Sequence, residues 1–327
     1  MLDRLRQPWP DQRAERMLGA LACAVLLVIV LMVVFVAKEA WPTFRHNGLS
    51  WLGPGGNIDV QIGRMVNSGA RPAGGDYQMH AWPLIWGTIL TTGMAVVFGL
   101  VFALLASIFI VEFAPDRLRS IVVPVVRLLA AVPSVIYGLI GVLVLVPFVG
   151  SHIVTAHEKK SVEFIVQLSG ASLLVAVVIL TVMIVPIMIA ICVDALYAVP
   201  RGWKEGAVAL GVNRWRAMWT VSVRAARPAI IAAAVLACAR ALGEAIMLSM
   251  VSGSVGFAPN PFDGPLFFLE PLRPLASTIV EDAESLQAPA VRSSIYAFAL
   301  LLLFSSLFLS LAGFLAKQPM KKYGVRT

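Results

Sequence analysis

The chain has 327 residues, of which 59% are hydrophobic and only 13% charged, with a formal net charge of +8 at pH 7. A soluble globular domain carries about a quarter charged residues, so this composition, with its mean hydropathy of +0.85, excludes one. The basic balance and the pI near 9.8 do not point to nucleic acid, because no soluble domain with a basic face remains once the apolar runs are set aside.

Crossing a bilayer as a helix takes about 20 mostly apolar residues. Six runs meet that demand: 17–36, 87–111, 121–149, 171–193, 228–251 and 293–315. They predict an all-α integral membrane protein with six transmembrane helices. Basic residues precede the first run as they would in a signal peptide, but it is too long and has no small-x-small cleavage site before Lys38 and Glu39, so it is expected to be a retained span. The segment 38–86 is rich in Gly and Pro and carries Trp41, Trp51, Trp82 and Trp86. Their amphipathic rings suit a membrane interface, with a surface for an external partner as the alternative. In the third run Pro133 is expected to free a carbonyl and bend the helix, while Gly138 and Gly141 allow close approach of a neighbour. Arg127 is expected to snorkel toward the near end of that span.

Between the fourth and fifth runs, 194–227 places Pro200 at a helix start, Gly211 at a break and Asn213 where it caps a following turn. Two short helices joined by a glycine form a compact knob. The alternative is an amphipathic helix resting on anionic lipid. The segment 252–292 has apolar patches broken by Pro and charge, which fits a short re-entrant or interfacial helix and not a seventh span.

With an N-terminus inside the cell, inside segments carry 16 of the 26 Lys and Arg, and outside segments carry 8. The excess of positive charge inside predicts both termini in the cytoplasm. The expected division is a tail at 1–16, a permease domain at 17–316 and a tail at 317–327. Cys23, Cys192 and Cys238 are scattered and suggest neither a disulfide framework nor a metal site. The four His lack ligand spacing, His157-Glu158-Lys159-Lys160 included.

Arg240 and Glu244 stand out in the fifth run. Arg240 lies about 18 Å above Pro228 at 1.5 Å per residue, near the middle of a core about 30 Å thick. A charged residue there costs about 2.5–3.5 kcal/mol. The i to i+4 spacing predicts that both side chains share a helix face and partly neutralise each other, although Arg before Glu is the weaker order for that contact. An ion pair locking helices together is one reading. The other is a transient relay for an oxyanion, since a guanidinium fork matches its acceptors and intramembrane ionisable groups usually line a pathway.

Glu205-Gly206-Ala207 followed by Gly211 resembles the E-A-A, three residues, G signature of ABC importer permeases. Gly206 departs from the second position of that pattern, and so does the continuation, with Val221, Val223 and Arg224 where the family has I-x-L-P. "IVEFAPDRLRS" (110–120), "AAVPSVIYGLIG" (130–141) and "ARALGEA" (239–245) resemble the phosphate-specific importer permeases of the C type, the PstC family. The resemblance implies six helices of the ABC importer permease type, with a cytoplasmic coupling-helix loop at about 194–227 docking an ATPase through Glu205, Gly206, Ala207 and Gly211. It implies Ser134 and Tyr137 facing the pathway beside Arg240 and Glu244. It also implies a homologous A-type permease, two ATP-binding subunits and an extracytoplasmic phosphate-binding protein as partners. The chain has no G-x-x-x-x-G-K-[ST] motif, so no cofactor is expected on it, with ATP and Mg held by the partner ATPase. A self-sufficient secondary transporter or channel for an oxyanion is the alternative.

Overall fold

The structure, a computed structural model, describes residues 12–155 and 168–317. The expected tails lie almost wholly outside these residues, as do His157, Glu158, Lys159 and Lys160. Among the described residues every regular element is helical, apart from one β-bridge between Gly253 and Leu272.

Among the described residues six helices are long and apolar enough to cross a membrane, one for each predicted run. Helix α1 spans Gln12–Asn47 and runs on past Pro42, well beyond the predicted end at 36. After it come a short turn of helix, α2 (Ile58–Asn67), and α3 (Trp82–Ile108), which ends in a wider π-helical turn, Phe109–Phe113. The residues between α1 and α3 fold into a small lobe. Trp51, Ile58, Ile62 and Met65 make its core together with Ala290, Val291 and Phe298. This corrects one expectation. Trp51 is 2% exposed and stacks on Phe298, so it is a core residue of the lobe and not an interfacial anchor.

The third span also differs from its prediction. Asp116–Ala130 is a separate helix, α4, and the spanning helix begins only at Ser134, as α5 (Ser134–Ile140), and continues through π turns to Ile153. Pro133 does more than bend the chain. It lacks an N–H and pushes Val132 out of the helical region, so the helix stops and restarts. α6 (Leu173–Tyr197) is the most buried span and packs against α3 along its length.

The knob follows as α7 (Arg201–Ala209) and α8 (Arg214–Ala217). α8 leads through a π turn, Met218–Ser222, into α9 (Val223–Leu242). The fifth span is interrupted. α9 ends at Leu242, and α10 (Ile246–Val251) restarts after three non-helical residues. Two short helices, α11 (Leu266–Leu269) and α12 (Leu275–Glu281), precede the last span, α13 (Pro289–Lys317). α12 packs against α3, α10 and α13 and buries Leu275, Ala276, Ser277 and Thr278; among the described residues the segment 252–292 holds short helices and no seventh candidate span. The lobe and α12 sit at one end of the bundle, and the knob sits at the other.

Candidate functional site

The knob is built by local chemistry. Gly211 has φ +83°, a conformation that costs most side chains about 1–2 kcal/mol. From there Val212 N–H reaches back to Ala207 O at 3.2 Å and Gly211 N–H to Val208 O at 2.9 Å, closing α7 with a Schellman pair. Asn213 then accepts from Trp215 N–H at 2.7 Å and opens α8. None of the residues of α7 is buried, and a methyl group at Gly206 or Gly202 would meet nothing within 4 Å. Glu205, Gly206 and Ala207 therefore lie on a helix that the other described residues leave largely exposed.

What holds α7 is a pair absent from the sequence reading. Lys204 Nζ lies 2.6 Å from Glu112 Oε2, and the Glu112 side chain is only 3% exposed. The pair ties the knob to the π turn that ends α3. Arg119 seals the same turn by donating to Ile110 O at 3.0 Å, Val111 O at 3.0 Å and Ala114 O at 3.2 Å, carbonyls that a helix end leaves without partners. Arg127 pairs with Asp194 at 2.9 Å. A lone Glu at the end of an apolar run was the only available signal for Glu112.

The interrupted span explains Arg240 and Glu244. No ion pair joins them among the described residues, which corrects the expected neutralising contact, because the helix they were to share stops between them. Arg240 sits in the last turn of α9 and is exposed; among the described residues its guanidinium makes neither a hydrogen bond nor an ion pair. Glu244 is 9% exposed, and its Oε1 accepts from Met247 N–H at 3.3 Å, at the start of α10. A cation suits the negative end of a helix, and an anion suits the positive end. The order Arg then Glu is the weaker one along a continuous helix, and it is the favourable one across a break.

The depth of the break follows from packing. Val251 O accepts from Ser172 N–H at 3.2 Å, so α10 ends level with the start of α6. A side chain at Gly150 would strike Ser169, and one at Gly141 would strike Val251 and Ile179, so α5 runs antiparallel to α6. Counting 1.5 Å per residue, Ser134 stands about level with Pro186, midway along α6. Gly138 abuts Met247 and Met250, as its predicted role in close approach requires. The restart of α5 and the restart of α10 therefore lie at similar depth. Ser134 is half-buried. Tyr137 is 9% exposed and donates its hydroxyl to Leu129 O at 3.0 Å, bracing the corner between α4 and α5. It also lines an apolar cavity of about 650 Å³ with Phe98, Phe102 and Val182.

At the lobe end lies a second cluster that sequence reading missed. The Arg273 side chain is 7% exposed and meets Asp59 Oδ1 at 2.9 Å, Glu281 Oε2 at 2.7 Å and Asp282 Oδ2 at 2.8 Å. The Glu281 contact is ionic, since the Nε–H is not aimed for a hydrogen bond. Burial pushes the Glu281 and Asp282 carboxyls above their ordinary values, and the Arg273 charge offsets only part of that rise. Asp59 is 214 positions from Arg273, and no local pattern could have brought it to the two carboxylates that follow Arg273 in sequence.

Residues 95–318 match the family described as binding-protein-dependent transport system inner membrane component. Phosphate transport system permease protein PstC 1 of Mycobacterium tuberculosis is 33% identical over 83% of this chain and 82% of its own length. Probable ABC transporter permease protein YqgH of Bacillus subtilis is 33% identical over 74% and 72%, and phosphate transport system permease protein PstC of Pasteurella multocida is 27% identical over 93% and 90%. Among solved structures, a chain of the inward-facing MetNI methionine ABC transporter superposes with a TM-score of 0.51 over 71% of this chain and 93% of its own, at 19% identity, a likeness of fold alone.

Proposed function

The chain belongs to the family of binding-protein-dependent transport system inner membrane components and is a membrane permease subunit of an ABC importer, and we propose that the solute it passes is inorganic phosphate. The relatives that bear the name phosphate transport permease support that choice. The observation that carries the mechanism is the exposed Arg240, without a polar partner among the described residues, at the interruption of the fifth span.

In this reading the chain forms half of a pathway completed by a homologous A-type permease. Arg240 offers its fork of donors to the phosphate oxygens at mid-depth. Glu244, held at the start of α10, keeps the local field from becoming a deep well, as release requires. Ser134 supplies a neutral hydroxyl at the same level, and Tyr137 holds the corner that presents it. The knob faces the cytoplasm with both termini. There Glu205, Gly206, Ala207 and Gly211 dock one of two ATP-binding subunits, which hold ATP and Mg. The lobe faces outward toward a phosphate-binding protein. The permease domain takes in 17–316, the partners include lipid and exclude nucleic acid, and this chain holds no cofactor.

The test is uptake of labelled phosphate by the reconstituted four-component complex, with sulfate as competitor. Arg240→Ala is expected to lower uptake at least tenfold, the scale on which a charged hydrogen bond worth about 1.5–3 kcal/mol acts, and Arg240→Lys to retain part of it. Wild-type uptake by Arg240→Ala in an assembled complex overturns the role. Equal competition by sulfate overturns the choice of phosphate. Uptake by this chain alone on an ion gradient would favour a secondary transporter, which membership in a binding-protein-dependent family already opposes.

A further inference from the structure

The Arg273 cluster adds a polar link to three parts of the chain, two of which, α2 and α12, already share an apolar core through Ile58, Ile62 and Leu275. Asp59 belongs to α2 in the lobe. Its Oδ1 meets Arg273 and its Oδ2 accepts from Gly256 N–H at 3.1 Å. Glu281 and Asp282 sit at the end of α12, which packs against α10. Ser254 completes the link: its hydroxyl lies 2.7 Å from Glu281 Oε1 and 3.2 Å from Ser249 O, a residue of α10. Ser254 is also the one non-glycine among the described residues with a positive φ, 51°. Backbone held there is strained and persists where its surroundings over-determine it. Carboxylates from the lobe and the end of α12 thus converge on one guanidinium, the turn after α10 holds two of those carboxylates, and α10 is the half-helix that carries the Glu244 contact.

We propose that Arg273 is a positioning residue for transport: it couples the outer lobe to α10, so that a binding protein engaging the lobe moves the interrupted fifth span. The inference rests on the importer reading above, which supplies the binding protein and places the lobe outside. The lobe exposes apolar side chains, Leu49 at 87% and Val60 at 60%, over a core that it shares with α12 and α13. Rigid packing and the clasp together make displacement of α2 felt at α10, because three carboxylates share one cation and shifting any of them re-sorts the others.

Asp59→Asn is the decisive variant. Asp59 is 43% exposed in its side chain, and asparagine keeps an acceptor for Gly256 N–H while losing the charge that Arg273 meets, so the fold survives. The assay uses the complete complex in nanodiscs with phosphate-loaded binding protein, and reads both its affinity and the stimulation of ATP turnover. Asp59→Asn is expected to bind the binding protein as wild type does and to lose stimulation about 5-fold or more. Arg273→Lys is expected to lose a similar amount, and the double variant no more than the Lys variant alone. A merely structural role would lower thermal stability and leave the stimulation ratio intact. Wild-type stimulation in Asp59→Asn, or losses that multiply in the double variant, overturn the clasp and leave the importer reading standing. A wild-type complex that no binding protein stimulates overturns the importer reading, and the clasp with it.

Discussion

The Lys204–Glu112 pair makes an asymmetric prediction. Glu112 is 3% exposed and Lys204 is 32% exposed, so the two partners fare differently when left alone. Lys204→Met strands a carboxylate inside the protein. Stranding a fully buried charge costs about 3–5 kcal/mol, and the partial exposure of Lys204 lowers that to about 2–3 kcal/mol here. Glu112→Gln frees an ammonium that can turn to water, at a cost of about 1 kcal/mol. With both changed, no charge remains to be stranded, and the double variant is expected to resemble Glu112→Gln. Thermal unfolding of the assembled complex in nanodiscs reads the order: Lys204→Met lowest, the double variant and Glu112→Gln together above it. Because the pair fixes α7 to the end of α3, phosphate moved per ATP should fall in Lys204→Met and in Glu112→Gln alike. Glu112 is too buried to touch an ATPase, so a loss in its variant reports the tie itself. If Lys204→Met is no less stable than Glu112→Gln, or the double variant is the worst of the three, the pair does not hold the knob as described.

Gly211→Ala separates backbone strain from crowding. The new methyl would meet nothing within 4 Å, so the whole cost is the left-handed backbone, about 1–2 kcal/mol. Gly211→Asn should cost less, and equal thermal stability of Gly211→Ala and wild type would remove the Schellman closure as the knob's support. The Arg273 cluster predicts an unusual pH slope. Glu281 and Asp282 have native values raised by burial, so the folded state binds their protons more tightly than the unfolded chain. Stability therefore rises as pH falls through the raised native values and levels off below the ordinary carboxylate range near 4. The melting temperature of the complex should increase as pH is lowered from neutral toward the ordinary carboxylate range, and Glu281→Gln should flatten that increase. A slope of the opposite sign in wild type, or one that Glu281→Gln leaves untouched, contradicts the account.

The six spans were legible because a run of about 20 apolar residues has few soluble uses. Gly211 and Asn213 were legible because their chemistry acts within three residues. Hydropathy failed where a helix changes course. Asp116–Ala130 is apolar enough to blend into the span that follows, and only Pro133 marks the boundary. The break after Leu242 carries no proline at all. Trp51 shows another limit: a tryptophan in an extramembrane segment reads as an interface anchor until its neighbours close over it. Asp59 and Arg273 are 214 positions apart, and a contact of that kind exists only once the chain has packed.

Two interruptions at similar depth constrain what the bundle can be for. Irregular backbone inside a membrane leaves carbonyls and amides unpaired, and it is tolerated where protein covers it or where it lines a water-filled route. The restart of α5 is partly covered: Tyr137 braces Leu129 O, and Gly138 lies against Met247. The restart of α10 is covered on one side only, since Glu244 is buried while Arg240 is exposed. A guanidinium held there against a cost of about 2.5–3.5 kcal/mol recovers at most about 2 kcal/mol from the end of α9. The remainder has to be met by water or further protein across the exposed side, which in the proposed mechanism is the side a passing anion would use. A solvent-accessibility scan by cysteine labelling at 240, on the assembled complex, checks that step. Labelling that is absent in every nucleotide state would place Arg240 against protein or lipid and close the proposed route.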